Sequence, residues 1–206
     1  MQGMLHTPEH DKTDMLHDHR SRAYLFATAL TAILILLQFF QPDLLFQRHL
    51  IIEGEFWRLW TGNLVHTNLW HLGLNLAGLW LLTLIQQPTP TPRIWLGQTL
   101  FIGTCVGTGL WFFNQELVWY AGFSGILYGL FMLAGIQMLQ QKEWTTALLI
   151  LGGICGKTVW DWAQGGTALS ANLIDAPVIY SSHIYGMLGG LALALPRMYQ
   201  QKRPSS

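Results

Sequence analysis

The chain has 206 residues, enough for one domain of ordinary size. It is 51% hydrophobic and only 11% charged, against roughly 25% charged residues in an average soluble domain. Eleven basic and eleven acidic side chains cancel, so nucleic-acid binding has no electrostatic support and we expect no nucleic-acid partner. The shortage of charge indicates a protein that is solvated by the lipid bilayer.

Long apolar runs recur along the chain, each about 17–22 residues in length, which at 1.5 Å per residue crosses a hydrocarbon core of about 30 Å. Lipid offers the backbone no hydrogen-bond partner, so these runs should be helices. They cover residues 23–40, 64–85, 94–113, 123–139, 145–162 and 182–199. The prediction is an all-α polytopic membrane protein, a six-helix bundle over 23–199.

The placement of lysine and arginine predicts the direction of each helix. With the N-terminus in the cytoplasm, the inner segments carry Lys12, Arg20, Arg22, Arg93, Lys142, Arg197, Lys202 and Arg203. The outer segments carry only Arg48 and Arg58, and Lys157 lies within the fifth run. The positive-inside rule therefore predicts two cytoplasmic tails, 1–22 and 200–206. The long segment 41–63 becomes an extracytoplasmic first loop, interfacial or re-entrant.

The first run has a second interpretation, a cleaved signal peptide. The segment before this run is long and of mixed charge, and no small-x-small cleavage pattern follows the run. We therefore expect a retained helix. Tryptophans near the ends of the runs favour membrane interfaces; they are Trp57, Trp60, Trp70, Trp95, Trp111, Trp119, Trp144, Trp160 and Trp162. Cys105 and Cys155 lie inside apolar runs and are expected to be buried thiols.

Polar residues lie near the outer ends of three predicted helices. His71 and Asn75 are four residues apart on one face of the second helix. Ser124 begins the fourth helix with Tyr128 one turn deeper, and His183 lies in the first turn of the sixth. A hydroxyl, a base and hydrogen-bond donors at one depth are the parts of an acyl-transfer site, with Ser124 as the candidate nucleophile.

Glycines accompany the candidate serine and histidine. Gly122 and Gly125 flank Ser124, while Gly186 and Gly190 lie on the helix face of His183. Small residues let helix backbones approach closely in lipid, so these four glycines are predicted to serve helix packing.

With these residues in view, the chain resembles the rhomboid family of intramembrane serine proteases. The matching motifs are "FWR" at 56–58, H-x4-H-x3-N at 66–75, G-F-S-G at 122–125 followed by Tyr128, and H-x2-G-x3-G at 183–190. The similarity spans about residues 23–199. The compact six-helix form, with "WRLWTGNLVHTNLWHLGLNLAGLWLL" and "GFSGILYGLF", resembles the bacterial rhombosortase branch in particular.

The resemblance implies a catalytic dyad without an acid. Ser124 is then the nucleophile and His183 its general base. His71, Asn75 and the Ser124 amide bind the oxyanion, and Tyr128 stacks on the His183 ring to orient the dyad. In the same family pattern Trp57 and Arg58 are structural, and His66 has at most a supporting role.

The implied activity is that of a serine endopeptidase that cuts transmembrane segments near the outer membrane face. The rhombosortase resemblance implies exported, membrane-anchored substrates with a C-terminal Gly-Gly sorting signal. It implies hydrolysis or transfer of the acyl group to another nucleophile, such as a lipid headgroup amine. We expect an integral protein of the bacterial inner membrane, with its active site facing the periplasm or exterior, and neither cofactor nor metal. The sequence leaves the oligomeric state open.

The fifth run departs from a purely apolar helix, because Lys157 and Asp161 lie four residues apart on one face. One interpretation is an ion pair that makes two charges tolerable in the membrane. The other is a substrate pocket for a polar group of the substrate or a lipid headgroup.

Two alternative functions stay open at this point. A rhomboid-like protein without catalytic activity binds or escorts membrane clients, but such proteins typically lack the serine or the base. A metalloprotease would use His66, His71 and His183, although no H-E-x-x-H motif occurs. The histidine-rich stretch "HTPEHDKTDMLHDH" is either a weak metal site or a solvated tail. A transporter is disfavoured by the lack of an inverted repeat.

Overall fold

The computed structural model describes residues 8–86, 89–167 and 169–201. Its elements in chain order are α1 (Pro8–Leu37), a 3-10 turn (Gln38–Phe40), α2 (Gln41–Leu44), β1 (Phe46–Gln47), α3 (Arg48–Ile52), α4 (Arg58–Thr61), α5 (Leu69–Ile85), α6 (Pro92–Phe113), β2 (Trp119–Tyr120), α7 (Ser124–Gln140), α8 (Trp144–Ala163), α9 (Leu169–Ile174) and α10 (Tyr180–Gln201). The mostly helical architecture confirms the predicted class. His6, Lys202 and Arg203 lie outside the described residues.

A long helix covers each of the predicted apolar runs; these helices are α1, α5, α6, α7, α8 and α10. Helix α1 begins at Pro8, well inside the stretch predicted as a tail. Helix α5 begins at Leu69 because Asn68 caps it, its side chain accepting a hydrogen bond of 2.9 Å from the His71 amide. The run that begins at residue 64 therefore enters its helix five residues late.

Two helical stretches among the described residues are long and apolar enough to cross a membrane, namely Arg20–Leu44 and Pro92–Phe113. Leu69–Ile85 and Ser124–Gln140 are apolar but shorter, with 17 residues each. Such a helix is about 26 Å long, near the lower limit for a bilayer core. By length and composition, two of the described helical stretches thus qualify clearly as membrane spans. The six crossings remain a prediction.

Large apolar side chains cover much of the outer surface. Leu25 is 70% exposed, Phe39 80% and Leu149 73%. A monomer dissolved in water rarely exposes so much contiguous apolar area, whereas lipid solvates it. Six of the tryptophans predicted at interfaces are exposed: Trp57, Trp70, Trp119, Trp144, Trp160 and Trp162. Two expectations are wrong: Trp95 is buried beside Phe26, and the free Cys155 is exposed.

The segment 41–63 is folded tightly against the helices. Its strand β1 pairs antiparallel with β2, so that Phe46 lies opposite Tyr120. The two arginines assigned to the outer side, Arg48 and Arg58, both lie in this segment. The Arg58 guanidinium donates to the Glu55 carboxylate at 2.5 Å and to the Leu45 carbonyl at 2.8 Å. Charge-assisted bonds of this kind fix the segment in place.

Helices α7 and α10 run parallel and in backbone contact along a row of glycines. A β-carbon on Gly186 would collide with the carbonyl oxygen of Gly125, and one on Gly190 with that of Gly129. This repeat, four residues on each helix, fixes the register between the two helices. It brings the first turn of α10 beside the first turn of α7.

We expect Gly186→Ala to lower the stability of the folded protein by about 1–3 kcal/mol, because the added methyl group overpacks this contact. Thermal unfolding in detergent micelles measures the effect. Gly156→Ala on α8 is the matched control, since a β-carbon there would meet no neighbouring atom within 4 Å and helix propensity favours alanine. Equal shifts in the two variants would contradict the close-packing argument.

Candidate active site

Ser124 is the first residue of α7 and follows a glycine turn. Gly122 has φ +145°, a conformation that side chains disfavour, and a β-carbon there would lie 2.8 Å from the His71 ring. The turn is held by the Gly122 amide, which donates to the Gly62 carbonyl at 3.0 Å. Tyr120 donates to the Gly122 carbonyl at 2.6 Å, and burial raises the pKa of Tyr120 to about 12, so the donor keeps its proton. Gly122 thus shapes the turn before α7 and makes room for His71.

His183 lies within hydrogen-bond distance of Ser124. Its Nε2 is 3.0 Å from the Ser124 Oγ, and the imidazole is only 5% exposed. For the hydroxyl to donate to Nε2, the neutral ring must carry its proton on Nδ1. Among the described residues Nδ1 has no hydrogen-bond partner, so no carboxylate orients the ring.

Tyr128 packs face to face on the His183 ring. The two ring centroids are 3.9 Å apart and the planes are inclined by 7°. Because Tyr128 lies one turn below Ser124 on α7, the same helix supplies both the hydroxyl and the surface on which the imidazole rests. The stack restricts rotation of the imidazole about its side-chain bonds.

His71 approaches the site from α5 and is held by Thr67. The Thr67 hydroxyl donates to the Ile174 carbonyl at 2.6 Å, so its oxygen is left to accept a hydrogen bond from His71 Nδ1–H, 3.1 Å away. Neutral His71 then carries no proton on Nε2, the nitrogen nearer to the Gly122 turn. It can donate through Nε2 only as an imidazolium or after Thr67 rearranges.

Asn75 lies one turn below His71 and is 4% exposed. Its amide group donates one hydrogen bond to the His71 carbonyl at 3.0 Å, which leaves a second N–H for another acceptor. Helix α7 has no side-chain cap at its N-terminus, so its first amides, including that of Ser124, have no partner within the helix. Asn75 and Ser124 line the same cavity.

Ser124 and His183 lie between two cavities. The first, of about 270 Å³, is bordered by the loop segments 116–121 and 176–179. The second, of about 230 Å³, opens between α5, α7, α8 and α9. Both cavities are lined by Ser124, His183 and His71, so a chain that fills them passes the hydroxyl.

The remaining candidates occupy distinct positions. His66 is fully buried, and its ring meets that of His71 edge-on at 5.2 Å. Lys157 and Asp161 form an ion pair, with Nζ 2.5 Å from the nearer Oδ. Within residues 8–86, 89–167 and 169–201, no three His, Cys, Asp or Glu side chains are grouped so that they could hold a metal ion.

A model of the rhomboid domain matches residues 53–200. The chain belongs to the rhomboid family. Rhomboids are intramembrane serine proteases that act on membrane proteins, and the apolar helices of this chain suit such a family. A search of curated proteins gave no match.

Two residues that stabilise the elements around the candidate site were not among the predicted site residues. Thr67 links His71 to the backbone of α9, and its position within H-x4-H-x3-N was the available signal. Arg48 donates at 2.9 Å to the carbonyls of Leu110 and Asn114 and thereby caps the C-terminus of α6. The sequence signal for Arg48 was its place in a predicted outer segment, where basic residues are rare.

Replacing Tyr128 separates stacking from hydroxyl chemistry. Tyr128→Phe keeps the ring and should retain the labelling rate of Ser124 by a fluorophosphonate within about threefold, while Tyr128→Ala should lower it about tenfold or more. The observed rate constant for labelling measures both. Equal losses in the two variants would show that the hydroxyl, and not the ring face, is what the site requires.

Proposed function

We propose that the chain is an intramembrane serine endopeptidase with a Ser124–His183 dyad. The 3.0 Å contact between Ser124 Oγ and His183 Nε2, at the meeting point of two cavities, carries the proposal. A hydroxyl hydrogen-bonded to a buried neutral imidazole is the arrangement that activates a serine nucleophile. Membership of the rhomboid family supports it independently.

The first step forms an acyl-enzyme. The Ser124 oxygen attacks the scissile carbonyl carbon while its proton moves to His183 Nε2. The carbonyl oxygen becomes an oxyanion, stabilised by the Ser124 amide, the free N–H of Asn75 and His71 when that ring can donate from Nε2. Collapse of this intermediate breaks the peptide bond, and His183 returns the proton to the departing amine nitrogen.

The second step frees the enzyme. Water gives a proton to His183, its oxygen attacks the acyl carbon, and Ser124 leaves with the proton restored. An amine that replaces water forms a new amide bond through the same acyl-enzyme, so the chemistry permits both outcomes. No acidic side chain of the described ranges bonds His183, and in this proposal the Tyr128 stack orients the ring instead.

The proposed substrate is a membrane-anchored protein whose apolar segment enters between the helices. Small, helix-breaking residues at the cut suit this site, because the scissile carbonyl must leave its helical hydrogen bond. Rhombosortase-type processing of C-terminal Gly-Gly signals, with hydrolysis or acyl transfer, extends the proposal. It places six helices across a bacterial inner membrane, both termini in the cytoplasm and Ser124 near the outer face.

We expect Ser124→Ala and His183→Ala to abolish fluorophosphonate labelling and cleavage of a membrane-anchored Gly-Gly reporter. Intact-protein mass spectrometry and a gel assay of the reporter make the measurements. Thr99→Ala, a buried hydroxyl on α6 outside both cavities, is the control. A folded wild-type protein that takes no probe and cuts no reporter would instead support a rhomboid-like protein that binds or escorts clients.

Asn75→Ala should lower kcat for the reporter by roughly 10²–10³ if its free N–H binds the oxyanion. Thr83→Ala is the matched control, since Thr83 is buried on the same helix and also donates to a carbonyl four residues back. A loss in Asn75→Ala no greater than in Thr83→Ala would remove Asn75 from the oxyanion site.

A further inference from the structure

The ion pair on α8 is unusual for a helix that is otherwise apolar. Lys157 Nζ lies 2.5 Å from both carboxylate oxygens of Asp161. The Asp161 side chain is 0% exposed, whereas that of Lys157 is 41% exposed. The carboxylate is therefore the buried end of the pair, and the ammonium is the end that a substrate group can approach.

Stability alone does not explain this pair. Burying the Asp161 carboxylate away from water is costly, and well-packed apolar residues often replace a buried ion pair without loss of stability. The mutual attraction offsets that cost but leaves little surplus. The pair is therefore a candidate for direct contact with a polar group of the substrate.

Ser170 on α9 extends the pair. Lys157 Nζ donates to the Ser170 Oγ at 3.2 Å. The hydroxyl proton of Ser170 has no acceptor among the described residues, so it remains available to donate. The three N–H groups of Lys157 are taken up by Asp161 and Ser170, so the donor on offer is the Ser170 hydroxyl, which the ammonium polarises while Asp161 cancels its charge.

The Lys157 and Ser170 side chains lie at the cavity that holds the proposed dyad. Lys157 and Ser170 border the cavity of about 230 Å³ together with Ser124 and His183. The rest of that wall is largely apolar, with Leu74, Leu127 and Phe131 among its members. Apart from the dyad, its stacking partner Tyr128 and the proposed oxyanion donors on α5, the polar side chains of this wall are Lys157 and Ser170.

We propose that Lys157 and Ser170 form a specificity subsite for an uncharged hydrogen-bond acceptor, the side-chain amide of Asn or Gln in the substrate's apolar segment. This inference rests on the proposed protease function. A neutral carbonyl oxygen accepts a hydrogen bond from the Ser170 hydroxyl without adding charge. A carboxylate would leave a net negative charge in the membrane, because Asp161 already balances Lys157.

The test uses membrane-anchored reporters with a Gly-Gly cut site in which each position of the apolar segment carries Asn, Leu or Asp in turn. The wild-type enzyme should cut the Asn reporter about threefold to tenfold faster than the Leu reporter at one register, as expected for one net hydrogen bond. The Asp reporter should be cut no faster than the Leu reporter at that register. Each enzyme serves as its own reference, because the measured quantity is the ratio of two initial rates.

Two variants remove the subsite in different ways. Ser170→Ala deletes one donor, and the paired change Lys157→Met with Asp161→Leu deletes the charges together, so that no buried charge is left unpaired. Ser170→Ala should bring the Asn-to-Leu ratio to about one, and the paired change should lower it, because the remaining Ser170 hydroxyl loses the ammonium that polarises it. Thr158→Val on α8 is the control, since Thr158 donates to the Ile154 carbonyl of its own helix and does not line the cavity.

The outcomes separate this inference from the function on which it rests. If the wild-type protein takes a fluorophosphonate on Ser124 but shows no Asn preference, or keeps it in both variants, the subsite is wrong and the protease stands. The subsite is equally wrong if the protein takes the probe but cuts none of the reporters. If neither labelling nor cleavage occurs in folded protein, the protease proposal itself fails.

Discussion

The backbone contact between α7 and α10 is the constraint on which the candidate site depends. A β-carbon on Gly186 would collide with the Gly125 backbone, and one on Gly125 would lie a tight 3.0 Å from the Ser182 carbonyl oxygen. Ser124 directly precedes one of these glycines and His183 lies three residues before the other, so the contact fixes the separation of the hydroxyl and the imidazole. Side chains at the glycine positions would push the helices apart and lengthen a hydrogen bond that tolerates only a few tenths of an ångström.

Around this contact, polar side chains are hydrogen-bonded or ion-paired within the protein, because the apolar surroundings offer them no partner. Thr67 fixes the His71 ring, Arg48 closes the carbonyl end of α6, and Asp161 balances Lys157. Thr67 and Arg48 each join a helix to a neighbouring segment, whereas the Lys157–Asp161 pair lies within α8 and reaches α9 through Ser170. Since lipid would leave these groups unsatisfied, their pairing both stabilises the fold and orders the walls of the two cavities.

The helices and the grouping of Ser124, His183, His71 and Asn75 follow from the sequence, because apolar length and direction determine which residues share a depth. Helix ends were less predictable, since the cap at Asn68 is a local hydrogen bond that hydropathy does not register. Pairing of β1 with β2 escaped prediction because two-residue strands carry no periodicity. The Thr67 and Ser170 contacts join segments about a hundred and about a dozen residues apart, and only the folded chain reveals them.

A bifunctional isocoumarin inhibitor tests the central geometry most directly, because it acylates a serine and then alkylates an imidazole only within bonding reach. Peptide mapping by mass spectrometry of the treated protein in detergent identifies the two attachment sites. The structure predicts one adduct that bridges the peptides containing Ser124 and His183. Folded protein that takes no adduct, or takes it at other residues, would contradict the proposed dyad.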